Sequence, residues 1–243
     1  MASAQKLIVL AVLAGCAVVT MNGTALVQEK KEAKADDEKT QRNRTLNLAA
    51  ALGQLDKVKE LLKQGADIQW RDPANNGKTP LVKAILGGRF ETVKYLLENG
   101  ADINYPDGSG RYPIMFCCIS TNVDMVQYLL AKGGVKDVNR GPFNLLVSVC
   151  DHGQATPELI PIFIKAGAKP DVYQGVVTPL IAAIKLDPKV RKPEIARSYV
   201  KALIECKADV NLKDKKGMSP LQWANQRGDQ VIIEMLKKAG AKE

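Results

Sequence analysis

The 243-residue chain is predicted to be all-α: a solenoid of about six helix-turn-helix units with short β-hairpin fingers between them. The main observation is a repeat of 33 residues, because the segment that begins at Gly77 is matched by one that begins at Gly110. The tripeptide Thr-Pro-Leu at 79–81 also recurs at 178–180, three further periods along the chain. In addition, signals that start and stop helices recur at matching places in the units. Such a period is typical of proteins in which each unit packs only on its neighbours.

Ahead of the repeats, residues 1–25 have the layout of a secretory signal peptide: Lys6, an apolar run from Leu7 to Val19, then small and polar residues. The run is shorter than the roughly 20 apolar residues that a membrane span needs. The small residues Gly23 and Ala25 suit cleavage after Ala25, which would release the chain into the periplasm. A signal anchor that is retained after export is the alternative.

The tetrapeptide Leu-Ala-Gly-Cys at 13–16 also resembles the lipobox of bacterial lipoproteins. That resemblance implies lipidation of Cys16, which would hold the protein on a membrane, facing the periplasm. The other interpretation is that Cys16 is only a small residue within the apolar run.

Residues 26–42 are predicted to form a flexible charged linker. The stretch 28–44 holds six basic and five acidic residues and almost nothing apolar. It cannot bury enough surface to offset the entropy of ordering, so we expect a solvated tether or a frayed helix.

From residue 43 onward, six units are predicted at about 43–76, 77–109, 110–141, 142–174, 175–214 and 215–243. In three of them the inner helix begins with a Thr or Ser that can cap free amides, followed by a Pro that needs no amide partner. These pairs are Thr79-Pro80, Thr178-Pro179 and Ser219-Pro220. A small residue follows in each inner helix, which lets neighbouring inner helices approach closely: Ala49, Ala84, Cys117, Ser148, Ala183 and Ala224.

The outer helix of each unit is predicted from an apolar stripe at helical spacing, as in Val93, Leu96 and Leu97. A glycine that can adopt the left-handed conformation ends it in five units. These glycines are Gly65, Gly100, Gly133, Gly167 and Gly240.

At this period the pattern resembles the ankyrin repeat, whose hallmark is G-x-T-P-L-H-x-A-A followed by a second helix and G-A-D-x-N. The resemblance covers about four fifths of the chain. It implies recognition of another protein through the concave face that inner helices and fingers form. The family's His after T-P-L is absent, so we expect mostly apolar packing in its place. The replacing residues are Asn47, Val82, Met115, Leu146, Ile181 and Gln222.

The fifth unit departs from the period by an insertion of about eight residues, around Leu186 to Glu194. It holds two prolines and three basic residues, so it should be an exposed loop. Contact with a partner and tolerated decoration are both open interpretations.

The residues that usually carry catalysis are scarce. His152 is the only histidine, so a site built from several imidazoles cannot be assembled. It follows Cys150 and Asp151, but consecutive helical residues point about 100° apart and do not face each other. The sequence also lacks the glycine-rich phosphate loops and the nucleophile elbow. We therefore expect no enzyme activity, no catalytic residues, no metal and no cofactor.

The remaining cysteines leave the disulfide state open. Cys117 and Cys118 fall on the third inner helix, Cys150 on the fourth, and Cys206 at the end of the fifth outer helix. A bridge across adjacent inner helices, such as Cys118 with Cys150, is within the reach of about 7 Å that a disulfide requires. Buried thiols that take the place of Ala are the alternative.

The charge balance bears on the class of partner. Thirty-five Lys and Arg against 26 Asp and Glu give a net charge of +9, which favours acidic partners. Aromatic residues make up only 5%, and the basic residues form no compact run, which argues against nucleic acid. We expect another protein as the partner and a monomer when the chain is unbound.

The candidate binding residues lie in the predicted fingers, where aromatic and Arg side chains could act as interface anchors. They are Trp70, Arg71, Asn75, Tyr105, Arg111, Arg140, Tyr173 and Gln174. Each of them could instead pack one finger on another or carry solvated charge.

Taken together, the features favour a non-enzymatic protein-binding module in the bacterial envelope. The sharper hypothesis is an immunity-like protein that binds and inhibits a periplasmic or cell-wall hydrolase. The alternatives are an envelope accessory factor in oxidative-stress defence, of the kind that accompanies catalases, and a secreted effector that binds a host or prey protein.

Overall fold

The computed structural model describes residues 36–120, 122–134, 139, 144–152, 156–186 and 192–242. The chain divides into two compact units, Met1–Thr45 and Leu46–Glu243. The predicted signal peptide and Cys16 lie outside the described residues. The predicted linker is described from residue 36, and residues 36–42 are helical. A hydrogen bond from the Thr45 hydroxyl to the Gln41 carbonyl, 2.8 Å long, lies within this stretch.

Twelve helices are described, and they alternate between inner and outer positions of the solenoid. The inner helices are α1 (36–52), α3 (Pro80–Leu86), α5 (Pro113–Ser120), α7 (Leu145–His152), α9 (Pro179–Lys185) and α11 (Pro220–Arg227). The outer helices are α2 (Leu55–Lys63), α4 (Phe90–Glu98), α6 (Val123–Ala131), α8 (Leu159–Lys165), α10 (Pro193–Glu205) and α12 (Gln230–Lys238).

The helix starts form as the sequence predicts. Thr79 and Thr178 each accept a hydrogen bond from the amide three residues on, at 3.3 Å. Ser219 forms a reciprocal capping box with Gln222, in which the Ser219 amide donates to the Gln222 side chain at 2.8 Å. These bonds satisfy amides that a helix start leaves without partners.

The helix ends also match the prediction. The five predicted glycines all have positive φ, between 82° and 97°. In the fifth unit Lys207 takes the corresponding place with φ 65°. The left-handed conformation thus ends an outer helix even where no glycine is present.

The fingers differ from the prediction of β-hairpins. Within the described residues they contain no strand, only isolated bridges between Asp72 and Lys78 and between Gln174 and Val177. The bridged positions enclose five residues in the first case and two in the second, and each bridge is a single residue pair, so no ladder forms. The first finger also contains a short 3₁₀ helix, Pro73–Asn75.

The core runs along the stack of inner helices, where α3, α5, α7, α9 and α11 contact one another in chain order. The predicted small residues are all buried, and Ala84, Cys117, Ala183 and Ala224 are fully so. The positions of the missing His are mostly apolar and buried, but Asn47 donates from its side-chain amide to the Lys78 carbonyl at 3.1 Å. This bond ties α1 to the second repeat, which begins at Gly77.

Candidate protein-binding site

The first finger is organised around the carboxylate of Asp72, which is only 5% exposed. It accepts hydrogen bonds from the Ala74 amide, at 3.0 Å, and from the Asn75 side chain. The predicted binding residue Asn75 is therefore exposed but held against its own finger. Trp70, just before this turn, is half-buried.

The first and second fingers are joined by direct contacts. The guanidinium of Arg71 lies 5.5 Å from the centre of the Tyr105 ring, a cation–π arrangement between two predicted anchors. Asn76 donates from its side chain to the Ser109 hydroxyl at 2.7 Å, and its carbonyl accepts from the Gly108 amide at 2.8 Å. Arg71 is exposed and Tyr105 is half-buried, so both remain accessible to a partner.

Arg111 has a clear structural role. It donates two hydrogen bonds to one oxygen of Asp107, from Nε at 3.0 Å and from Nη2 at 2.8 Å. Its guanidinium also lies 4.9 Å from the centre of the Phe116 ring, and Phe116 is 2% exposed. The side chain of Arg111 keeps 30% of its surface in solvent. Arg111 thus covers part of the core and presents only one edge.

The last two predicted residues that the structure describes connect the later units. The Tyr173 hydroxyl donates to the Lys213 carbonyl at 2.6 Å, and the Lys215 ammonium lies 5.9 Å from the centre of the Tyr173 ring. Gln174 accepts from the Asn144 amide at 2.9 Å. Arg140 lies outside the described residues. The predicted binding residues are therefore distributed along several fingers rather than gathered in one pocket.

The prediction missed an open pocket of about 160 Å³ between the fifth and sixth units. Its walls include Lys185 at the end of α9 and Trp223 in α11. The Lys185 ammonium lies 4.2 Å from the centre of the indole ring. The sequence feature that could have indicated this pocket is Trp223. It is one of only two tryptophans, and it occupies the position where the second unit has Lys83.

The described residues offer little for chemistry. They include no group of three or more His, Cys, Asp or Glu that could hold a metal ion. No disulfide joins the four described cysteines. Burial raises the pKa of Cys117 well above its usual value and the pKa of Cys118 to about 12, so both are neutral thiols.

Cys150 is buried, while the side chains of Asp151 and His152 lie outside the described set. Every helix in the described ranges falls short of the length and apolarity that crossing a membrane requires.

The stacked hairpins and linked fingers define a repeat solenoid of the class that binds other proteins. A family model described as ankyrin repeats, three copies, matches residues 10–107 and 46–141. The ankyrin repeat protein YahD of Escherichia coli K12 is 32% identical over 197 residues, which cover 80% of this chain and 94% of YahD. The chain belongs to the ankyrin-repeat family. Because ankyrin repeats are in general non-enzymatic interaction modules, it is a protein-binding module.

Solved structures are similar over most of the chain. An ankyrin repeat domain from Acinetobacter baumannii has a TM-score of 0.68 and 27% identity, and covers 82% of this chain and 98% of that one. The human ASB11 ankyrin repeat domain has a TM-score of 0.69 and 26% identity, with coverages of 81% and 84%.

A third structure is a complex between the Bd0816 predatory endopeptidase of Bdellovibrio bacteriovorus and the immunity protein Bd3460. The matching chain has a TM-score of 0.65 and 25% identity, with 79% of this chain and 96% of that chain covered.

Proposed function

We propose that this ankyrin-repeat protein binds and inhibits a periplasmic or cell-wall hydrolase and so protects the cell that makes it. The observation that carries the proposal is its similarity to a chain in the complex of an endopeptidase with an immunity protein. The proposal transfers the kind of partner, a hydrolase, and leaves its identity to experiment.

The contacts between fingers support this role physically. The bonds from Asn76 to Ser109 and from Tyr173 to Lys213 join successive units before any partner arrives. A surface that is already ordered loses little conformational entropy on binding, so more of the contact energy appears as affinity. Such a rigid surface is suited to covering the active-site cleft of a folded enzyme.

The N-terminal sequence supports a location in the envelope. Residues 1–25 have the layout of an export signal, and Cys16 offers a site for a lipid anchor. We propose that the protein acts in the periplasm, either in solution or anchored to a membrane and facing the periplasm.

The function is tested by affinity capture from the envelope fraction, followed by mass spectrometry and an activity assay of each captured hydrolase. We expect at least one hydrolase to be captured and to lose activity in proportion to the amount of added protein. If every captured or co-encoded hydrolase keeps its full activity, the proposal is wrong.

The location is tested by fractionation and by the mass of the mature N-terminus. Lipidation predicts a membrane-bound chain that begins at an acylated Cys16 and becomes unanchored in Cys16→Ala. Cleavage after Ala25 predicts a soluble periplasmic chain that begins at Leu26. Recovery of the whole chain from the cytoplasm would contradict both.

A further inference from the structure

The side chain of Trp223 is fixed in place within the sixth unit. Its indole Nε1 donates to one oxygen of Asp214 at 2.9 Å. Asp214 is 4% exposed, and its other oxygen accepts from the amides of Lys216, at 2.8 Å, and Met218, at 3.0 Å. The indole is therefore held in one orientation.

Lys185 comes from the neighbouring unit and completes the arrangement. It is exposed, and its ammonium lies over the Trp223 ring at 4.2 Å from the ring centre. Among the described residues, no carboxylate lies within 4.0 Å of this ammonium. The charge of Lys185 also acts on the carboxylate of Asp214, which already accepts three hydrogen bonds. The cation is thus positioned by an aromatic ring and keeps donors for another group.

The remaining walls of the pocket are formed by the apolar residues Ile184 and Leu186, by the exposed Gln226 and by Arg227. Ile184 and Leu186 are buried and provide the apolar side. Arg227 donates from Nη1 to the carbonyls of both these residues, so its guanidinium holds the two units together. The volume of about 160 Å³ is below the roughly 300 Å³ of small-molecule sites. It suits a single side chain of a partner protein.

The net charge of the last two units favours an acidic partner. Residues 175–243 contain fourteen Lys and Arg against eight Asp and Glu, a net charge of +6. Residues 1–174 contain twenty-one against eighteen, a net charge of +3. Two thirds of the net charge therefore lies in the last two units, where opposite charge on a partner would be attracted and oriented.

From these observations we propose that the Lys185–Trp223 pocket receives a glutamate side chain from the surface of the partner protein. The methylene groups of the glutamate lie against the indole and the apolar wall, and its carboxylate accepts charge-assisted hydrogen bonds from the Lys185 ammonium. This inference names a docking point for the proposed inhibitor, and its biological meaning rests on that proposed function.

Hexaglutamate tests the pocket without the natural partner. The full chain has two tryptophans. Its ¹⁵N–¹H NMR spectrum should therefore show two indole N–H signals, which Trp70→Phe would assign. We expect hexaglutamate to shift the Trp223 signal in a saturable manner and to leave the Trp70 signal nearly unchanged. Hexaglutamine at the same concentration should shift neither.

Charge variants locate the effect. Lys185→Gln and Lys185→Glu should each raise the dissociation constant of hexaglutamate at least about fivefold, because the ammonium is lost. The matched control is Lys94→Glu, since Lys94 lies 4.4 Å from the centre of the Phe90 ring but is already paired with Glu91 at 2.9 Å. It should leave the dissociation constant within about twofold of wild type.

Equal shifts of both indole signals, or unchanged affinity in both Lys185 variants, would overturn the inference. The spectra themselves report whether each variant is folded. The result is separable from the proposed function: capture of a hydrolase by the Lys185 variants with wild-type affinity would refute the pocket alone. A saturable pocket in a protein that inhibits no hydrolase would refute the proposed function alone.

Discussion

Buried carboxylates fix the conformation of three fingers: those of Asp72, Asp107 and Asp214. Each carboxylate accepts hydrogen bonds from backbone amides and from side-chain donors of its own finger or unit. They are at most 5% exposed, although each carries a charge. Charge-assisted hydrogen bonds offset the cost of burying such a group. At the scale of single residues, these carboxylates give the fingers their shape.

Asp214 should make the sixth unit sensitive to acid. Burial acts to raise its pKa, but hydrogen bonds from the Met218 amide, the Trp223 indole and the Lys216 amide, with the charge of Lys185, lower the pKa below the ordinary value. Because the native pKa is lowered, the stabilisation is complete above the unfolded pKa of about 3.9 and is lost as pH falls through the native value.

The measurement is Trp223 fluorescence in a Trp70→Phe background during acid titration. Asp214→Asn should be less stable than its parent at pH 7 and should lose less of its stability below pH about 4. Identical acid transitions for the variant and its parent would show that Asp214 has no such role.

The thiols should differ in reactivity. Cys117 and Cys118 are fully buried with raised pKa values, whereas Cys206 is half-buried and its pKa is raised by burial and by Glu205. We expect iodoacetamide at pH 8 to modify Cys206 before Cys117 and Cys118, which should react only in denaturant. Mass spectrometry of the peptides measures the order, and equally fast modification of Cys118 would contradict it.

At the scale of elements, the first two inner helices approach closely at a glycine. The Gly87 backbone has φ −77°, which any residue can adopt, but a Cβ there would lie 2.2 Å from the Ala51 carbonyl oxygen. The same oxygen accepts a hydrogen bond from Arg89 Nε at 3.1 Å. Gly87 is therefore required by the packing of α3 on α1 and not by its own conformation.

Gly87→Ala should lower the free energy of unfolding by about 2 kcal/mol or more, because it forces the helices apart and disturbs the Arg89 bond. The control is Gly88→Ala, where φ is +67° and an added Cβ would meet nothing within 4 Å. Strain alone should cost that variant about 1 kcal/mol. Urea denaturation measures both, and the prediction fails if Gly87→Ala is the less destabilised of the two.

At the scale of the whole molecule, the units contact mainly their sequence neighbours, as expected for a solenoid. The candidate binding residues lie far apart in sequence but follow one another along the fingers. Arg71 and Tyr105 represent the early units, whereas Tyr173 and Lys215 represent the late ones. A partner that spans several units would contact both groups.

The finger anchors are tested with the captured partner. Trp70→Ala and Tyr105→Ala should each weaken binding by at least ~1 kcal/mol if they are interface anchors. Tyr95→Ala is a suitable control, because Tyr95 lies on the outer helix α4, where Lys59 is 5.6 Å from its ring centre. Calorimetry measures the affinities. If all three variants bind the partner with equal affinity, the binding site does not include these finger residues.

The sequence alone determined the repeat, the helix starts and the helix ends of this ankyrin-repeat protein. These depend on local chemistry. The Thr79 hydroxyl caps the amide three residues further along, and Gly100 adopts the left-handed conformation because it has no side chain. The predicted β-hairpins of the fingers did not form, because backbone pairing in the described fingers is limited to single bridges, as between Asp72 and Lys78.

Only the tertiary structure decided what the candidate binding residues do. Arg111 and Tyr173 look alike in sequence as anchors, yet the first covers Phe116 and the second bonds to Lys213, forty residues further along the chain. The pocket of Lys185 and Trp223 joins side chains from two units and has no local signature. Contacts of this kind depend on how neighbouring units stack, so they are decided by packing and not by any short stretch of sequence.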